Sequence, residues 1–167
     1  MADHEDKAKK RQQLRDKNVD LSIIGNGFVR LYHKESVLDY DIKLLEDKSY
    51  EIIEFEGNFL SNKTELHYDL QQKLNFPDYY GKNFDALNDC LYDYEVHQNG
   101  TVIVFRHLNY LDEWSITMLL DIFAFQGRRK FAHGKKLLVL VQIDDRNFKI
   151  TEPIGAINLY LLNDKER

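Results

Sequence analysis

Residues 137–143, LLVLVQI, are apolar at every position but one, and TVIVF at 101–105 has the same texture. Runs this short and this continuously apolar suit strands covered on both faces, as in a parallel sheet. Between them, WSITMLLDIFAFQGRRKFAHG at 114–134 reads as a helix with a basic last turn and Gly134 as its stop. Upstream, YEIIEF at 50–55 is a third strand candidate. A helix starting at Ser61 or Asn62 follows it, with Leu66, Leu70 and Leu74 at near-helical spacing until Pro77 ends it. From Tyr50 onward the expected order is strand, helix, helix, strand, helix, strand, which is an α/β pattern.

The first half of the chain has a different texture. Residues 1–20 are almost all charged or amide side chains and read as a charged arm or frayed helix. Residues 21–49, with LSIIGNGFVRLYH and SVLDYDIKLLE, carry β-branched and aromatic residues around Gly25 and Gly27. This predicts an N-terminal β extension, a hairpin or meander turning at Gly-Asn-Gly. The Gly-Asn-Gly is no dinucleotide fingerprint, because the third glycine and the following helix are missing. In the tail, 146–167, AINLYLL is a candidate for one more strand.

The 167 residues suffice for one domain with a genuine core, and a hydrophobic fraction of 43% agrees. The net charge of −5 favours a basic partner over nucleic acid, so no direct nucleic-acid contact is expected. One cysteine, Cys90, permits no internal disulfide, and no cysteine or histidine spacing suggests zinc. The first twenty residues hold no apolar run for a signal peptide, and no stretch is apolar enough to span a membrane. A cytoplasmic location and no membrane partner are the expectation.

Chemistry concentrates in NFPDYYGKNFDALNDCLYDYE, residues 75–95. With Asn83 as N-cap and about 100° per residue, Phe84, Leu87, Cys90, Leu91 and Tyr94 share roughly one third of the helix circumference, the face that packs on a core. Asp85, Asp89 and Asp93 stand at i, i+4 and i+8 on another face. Like charges so placed destabilise a helix by about 0.2–0.5 kcal/mol per pair. Asp85 gains from the positive end of the helix dipole, whereas Asp93 lies near the negative end. Tyr79, Tyr80 and Gly81 precede the helix, where amphipathic side chains on a turn suit a recognition surface.

FPDYYGKNFDALNDCL, residues 76–91, resembles the signature of the barstar family, intracellular inhibitors of the bacterial ribonuclease barnase. Pro77, Tyr79, Tyr80, Gly81, Asn83, Asp85, Ala86, Leu87, Asp89, Cys90 and Leu91 match it in unbroken register. The resemblance implies a barstar-like α/β domain at residues 50–145, with a short three-stranded parallel sheet packed with helices. It further implies an inhibitor that blocks the active site of a basic, barnase-like ribonuclease with the acidic helix and the tyrosine-rich turn. No catalytic residue, cofactor or metal is then expected. Asp89 would enter the phosphate-binding pocket and Asp85 would pair with a basic residue near the guanine site. Tyr79, Tyr80, Gly81, Asn83 and Ala86 would line the contact. The barnase–barstar pair is itself a measured instance of electrostatic steering, so that physics comes with the family.

Two departures stand out. Asn88 replaces the tryptophan that precedes the key aspartate in the family, and GRRKFAHGKK at 127–136 replaces an acidic stretch. Asn88 remains at the expected interface, with Tyr92 and Asp93 partly compensating for the lost aromatic contact. The alternative reading is a non-catalytic barstar-like module for another basic protein, or for RNA through RRKFAHGKK. A divalent-cation site on the aspartate stripe is disfavoured, since such sites gather ligands from loops and several elements. The six histidines show no zincin spacing, and Cys90, on the apolar face, reads as a buried thiol.

Overall fold

The computed structural model describes residues 2–59, 61–148, 150, 153–155 and 161–162. The elements run α1 (Ala2–Lys17), α2 (Val19–Gly25), β1 (Val29–Tyr32), α3 (Glu35–Asp47), β2 (Glu51–Glu56), α4 (Lys63–Lys73), α5 (Phe84–Asp93), β3 (Thr101–Arg106), α6 (Glu113–Ala132), β4 (Leu137–Gln142) and β5 (Leu161–Leu162), with short 3₁₀ turns at Gly57–Phe59 and Leu108–Tyr110. All strand pairs are parallel, in the order β2-β3-β4-β1-β5.

The three expected strands are β2, β3 and β4, but the sheet does not stop at three. β1 joins β4 as a fourth strand, with Val29 opposite Val139 and Leu31 opposite Val141. β5, the described end of the predicted AINLYLL strand, adds two residues beyond β1, while 156–160 lie outside the described residues.

The apolar runs are buried on both faces, for two different reasons. Ile103, Phe105, Leu137, Val139 and Val141 face a core built with α4, α5 and α6. Val102, Val104, Leu138 and Leu140 face a second core made with Val19 and Ile23 of α2 and Leu38, Ile42 and Leu45 of α3. The connections β2 to β3 and β3 to β4 advance in one direction, and β1 to β2 runs back across the sheet. Right-handed crossovers then place α3 on the face opposite α4, α5 and α6.

The N-terminal β extension is therefore corrected. Of residues 21–49 only Val29–Tyr32 is strand, and SVLDYDIKLLE forms α3. Leu38, Ile42 and Leu45, at i, i+4 and i+7, are all buried on the sheet, so the helical period wins over the β-branched and aromatic composition. Gly-Asn-Gly turns no hairpin. It ends α2 in a Schellman motif: Phe28 N–H donates to Ile23 O and Gly27 N–H to Ile24 O, with Gly27 at φ 80°. The same motif closes α6 at Gly134, with φ 74°, where the stop was expected.

Polar anchors fasten this layer. Asp20, nearly buried, accepts from Tyr50 Oη at 2.9 Å and Lys48 Nζ at 2.6 Å, with Lys136 Nζ at 3.4 Å. Burial pushes the Asp20 carboxyl up, but the Lys48 and Tyr50 hydrogen bonds outweigh it and hold it below the usual carboxylate value. Arg106, at the end of β3, joins Glu54 of β2 at 2.6 Å and Asp39 of α3 at 2.7 Å.

Truncating Leu38 to alanine should cost about 2–5 kcal/mol by opening a cavity under the sheet. Urea unfolding would read this as a lowered midpoint at unchanged slope, and an unaltered midpoint would deny α3 its place in the core.

Candidate partner-binding surface

α5 is set by local chemistry at its start. Asn83 is its N-cap, Oδ1 accepting from Ala86 N–H at 2.8 Å. The turn before it carries Lys82 at φ 51° and is closed by Tyr80 N–H to Pro77 O at 2.9 Å. Leu87 and Leu91 are fully buried, and Phe84, Cys90 and Tyr94 pack against the same core, which is the apolar face expected from the period.

The two tyrosines of the turn part company. Tyr79 is 86% exposed. Tyr80 is only 3% exposed, with its ring beside Phe76 and its hydroxyl 2.5 Å from His67 Nδ1, so it belongs to the core under the turn and not to the surface. Burial raises the Tyr80 hydroxyl and lowers the His67 imidazole to about 4, with Lys63 adding repulsion to the latter.

Asp85, Asp89 and Asp93 are all exposed, and none forms a hydrogen bond or ion pair with a described residue. Asp89 and Asp93 line a cleft of about 420 Å³ together with Glu95, Tyr79, Cys90 and Tyr94, roofed by the 74–77 segment. Desolvation, then the charges of Asp89 and Asp93, push the Cys90 thiol up, so it stays protonated at neutral pH. Gly81 and Asn83 are exposed and Ala86 is half-buried at the N-terminal end of the same face. Among the described residues, no group of three histidines, cysteines or carboxylates could hold a metal ion.

Asn88 is turned toward α6. Gln126 Nε2 donates to its Oδ1 at 2.8 Å and to its carbonyl at 3.1 Å. Two further contacts from α6 reach α5, and neither was visible in the sequence. Lys130 Nζ donates to the carbonyls of Tyr92 and Tyr94 at 2.8 and 2.6 Å, putting a cation on the negative end of α5. Burial, then Arg129, depress this amine below the ordinary lysine value. Arg129 lays its guanidinium 3.2 Å over the Tyr92 ring. Trp114, exposed beside Phe84, also escaped notice, although it is the one tryptophan of the chain.

A family model described as Barstar (barnase inhibitor) matches residues 50–140, more than half of the chain. The chain belongs to the barstar family. Within the barstar family match, β2, α4, α5, β3 and α6 lie complete, so the shared part of the molecule holds the aspartate stripe and its supports. A protein of Bacillus subtilis (strain 168) named "Putative ribonuclease inhibitor YrdF" is 58% identical over 36 residues, 22% of this chain and 40% of that relative. A chain in a structure of Drosophila ORC bound to AT-rich DNA and Cdc6 superposes with a TM-score of 0.57 at 14% identity, covering 98% of this chain and 58% of that one. That likeness extends to the whole sheet and speaks of fold alone. No described helix is long and apolar enough to cross a membrane.

The His67–Tyr80 pair makes the turn sensitive to acid. The unfolded chain takes up a proton near pH 6.5, whereas folded His67 does so only near 4. Stability is full above 6.5 and falls as pH drops through this window, by up to about 3 kcal/mol. Denaturation midpoints at pH 7 and pH 5 would show the loss, and His67→Phe should flatten it.

Proposed function

We propose that α5 and the turn before it close the active-site cleft of a basic ribonuclease, making this protein an inhibitor of a barnase-like enzyme. The observation that carries this reading is the cleft between Tyr79 and Asp89 and Asp93, which have no hydrogen-bond or ion-pair partner among the described residues. A fold that keeps three like charges in register pays about 0.4–1 kcal/mol for two repulsive i, i+4 pairs. A cationic cleft docking on them removes that strain and adds charge-assisted hydrogen bonds.

A ribonuclease binds a polyanion, so its cleft is lined with lysine and arginine, and carboxylates on one helix face compete for those groups. Asp89, at the centre of the stripe, meets the phosphate-binding cations, and Asp85 meets a basic side chain at the rim. Tyr79, Gly81, Asn83 and Ala86 fill the contact at the N-terminal end, and Tyr92 and Asp93 extend it at the other. Tyr79 supplies a large amphipathic anchor of the kind that dominates interface energetics. Tyr80 and Asn88 support from beneath, one holding the turn on the core and the other fixing α5 to α6. Inhibition of this kind asks for no chemistry from the inhibitor. It is reached by fast, salt-sensitive encounter and slow release.

The test is a panel of microbial guanyl-specific ribonucleases, with RNA cleavage followed in the presence of the wild-type protein and of Asp89→Ala. At least one enzyme should be inhibited, and the substitution should weaken that inhibition by about 2–5 kcal/mol, thirtyfold or more in affinity. Raising the salt should slow association. A panel untouched by the protein, or an Asp89→Ala variant as potent as the parent, would refute the reading.

A further inference from the structure

The acidic cleft continues into a second hollow of mixed charge. Asp93, Tyr94 and Glu95 line both, and the second, about 270 Å³, is completed by Arg129, Lys130, His133 and Lys135 from α6 and its end. Carboxylates and cations thus share one groove, yet no ion pair links Asp93 or Glu95 to any of these cations. Geometry explains why. Lys130 is committed to the carbonyls at the end of α5, and Arg129 to the face of Tyr92. Lys135 and His133 have exposed side chains, and Arg129, half-buried, lies over the Tyr92 ring between the two fields.

Basic residues ending a helix are ordinarily explained by its dipole. Arg129 lies in the last turn of α6, where the dipole accounts for a cation, but its stacking on Tyr92 turns it sideways into the second hollow, beside Asp93 and Glu95. A uniformly basic target would meet repulsion at this place. A target carrying carboxylates beside its cationic cleft would meet attraction in both hollows at once, and in only one orientation.

Resting on the inhibitor reading above, we propose that Arg129, His133 and Lys135 are the specificity-determining half of the interface, selecting a ribonuclease with an acidic patch at the rim of its basic active site and rejecting one that is basic throughout. RNA is the poorer candidate for the same patch, because a phosphate backbone lying on it would run against Asp93 and Glu95 in the shared groove.

The experiment measures association rates at low ionic strength for the wild-type protein and for the double variant Arg129→Glu/Lys135→Glu, which spares Lys130 and its helix contacts. Two probes are used: barnase, and the panel enzyme that the wild-type protein inhibits most strongly. The expected result is opposite in sign on the two. The double variant associates with barnase about tenfold faster or more, and with the preferred enzyme about tenfold slower or more, both differences shrinking at high salt. Equal rates for both proteins on either probe overturn the proposal, as does barnase being bound by neither protein. If Asp89→Ala still abolishes inhibition of the preferred enzyme in those cases, the inhibitor reading stands and only the bipolar partner falls. Binding of a short single-stranded RNA by the wild-type protein and not by the double variant also overturns it, giving the patch to nucleic acid. Unchanged circular dichroism and thermal midpoints establish that the variant is folded.

Discussion

Two strands that are apolar on both faces dictate the rest of this molecule. β3 and β4 point Ile103, Phe105, Val139 and Val141 one way and Val102, Val104, Leu138 and Leu140 the other. Water on either side would cost about 25 cal/mol for each Å² of apolar surface left open, several kcal/mol for four such side chains. Two layers of helix are the solution. α4, α5 and α6 cover one side, and α2 and α3 cover the other, with β1 extending the sheet between α2 and α3 and β2 taking the chain from one layer to the other. The acidic surface is a by-product of that demand, since α5 can expose its aspartates only because Leu87 and Leu91 fix it on the sheet.

What was legible in the sequence follows the range of the forces involved. α5 could be drawn residue by residue because its signals are local: Asn83 at the cap, the apolar period from Phe84 to Tyr94, and aspartates four apart. The three strands after Tyr50 were equally plain as short apolar runs. Residues 21–49 were misread because Val37, Tyr40 and Ile42 argue for strand by type, while the Leu38–Ile42–Leu45 period argues for helix by position, and position prevails when a sheet face lies beneath. Tyr79 and Tyr80 are neighbours of one type on a turn, where no period tells inside from outside. The Gln126–Asn88 bond, the Lys130 contacts and the Arg129–Tyr92 stack each join residues 36 to 38 positions apart, and no local rule reports them.

Packing and exposed charge are divided between opposite faces of one ten-residue helix. On its own such a helix would be marginal, and three like charges would weaken it further. It is held at the start by Asn83, along its length by the core, and at the end by Lys130 reaching across from α6. The exposed carboxylates bond to nothing among the described residues, so the surface can change its charge with little effect on the fold. Arg129 illustrates this: a cation now sits against the last turn of the acidic helix, seated on a tyrosine ring and not on a carboxylate.

The stretch shared with the barstar family starts at residue 50, whereas the second core includes Val19, Ile23, Leu38 and Leu45 from before it. The inherited unit and the folding unit therefore have different borders. The exposed charge of α5 belongs to one layer, and keeping Val102 and Leu140 dry is the task of the other. Among the described residues the two layers meet across the sheet and, at its edge, where Phe28 packs on Phe131 of α6, so most of the covering on the far side can change without redrawing the exposed face of α5.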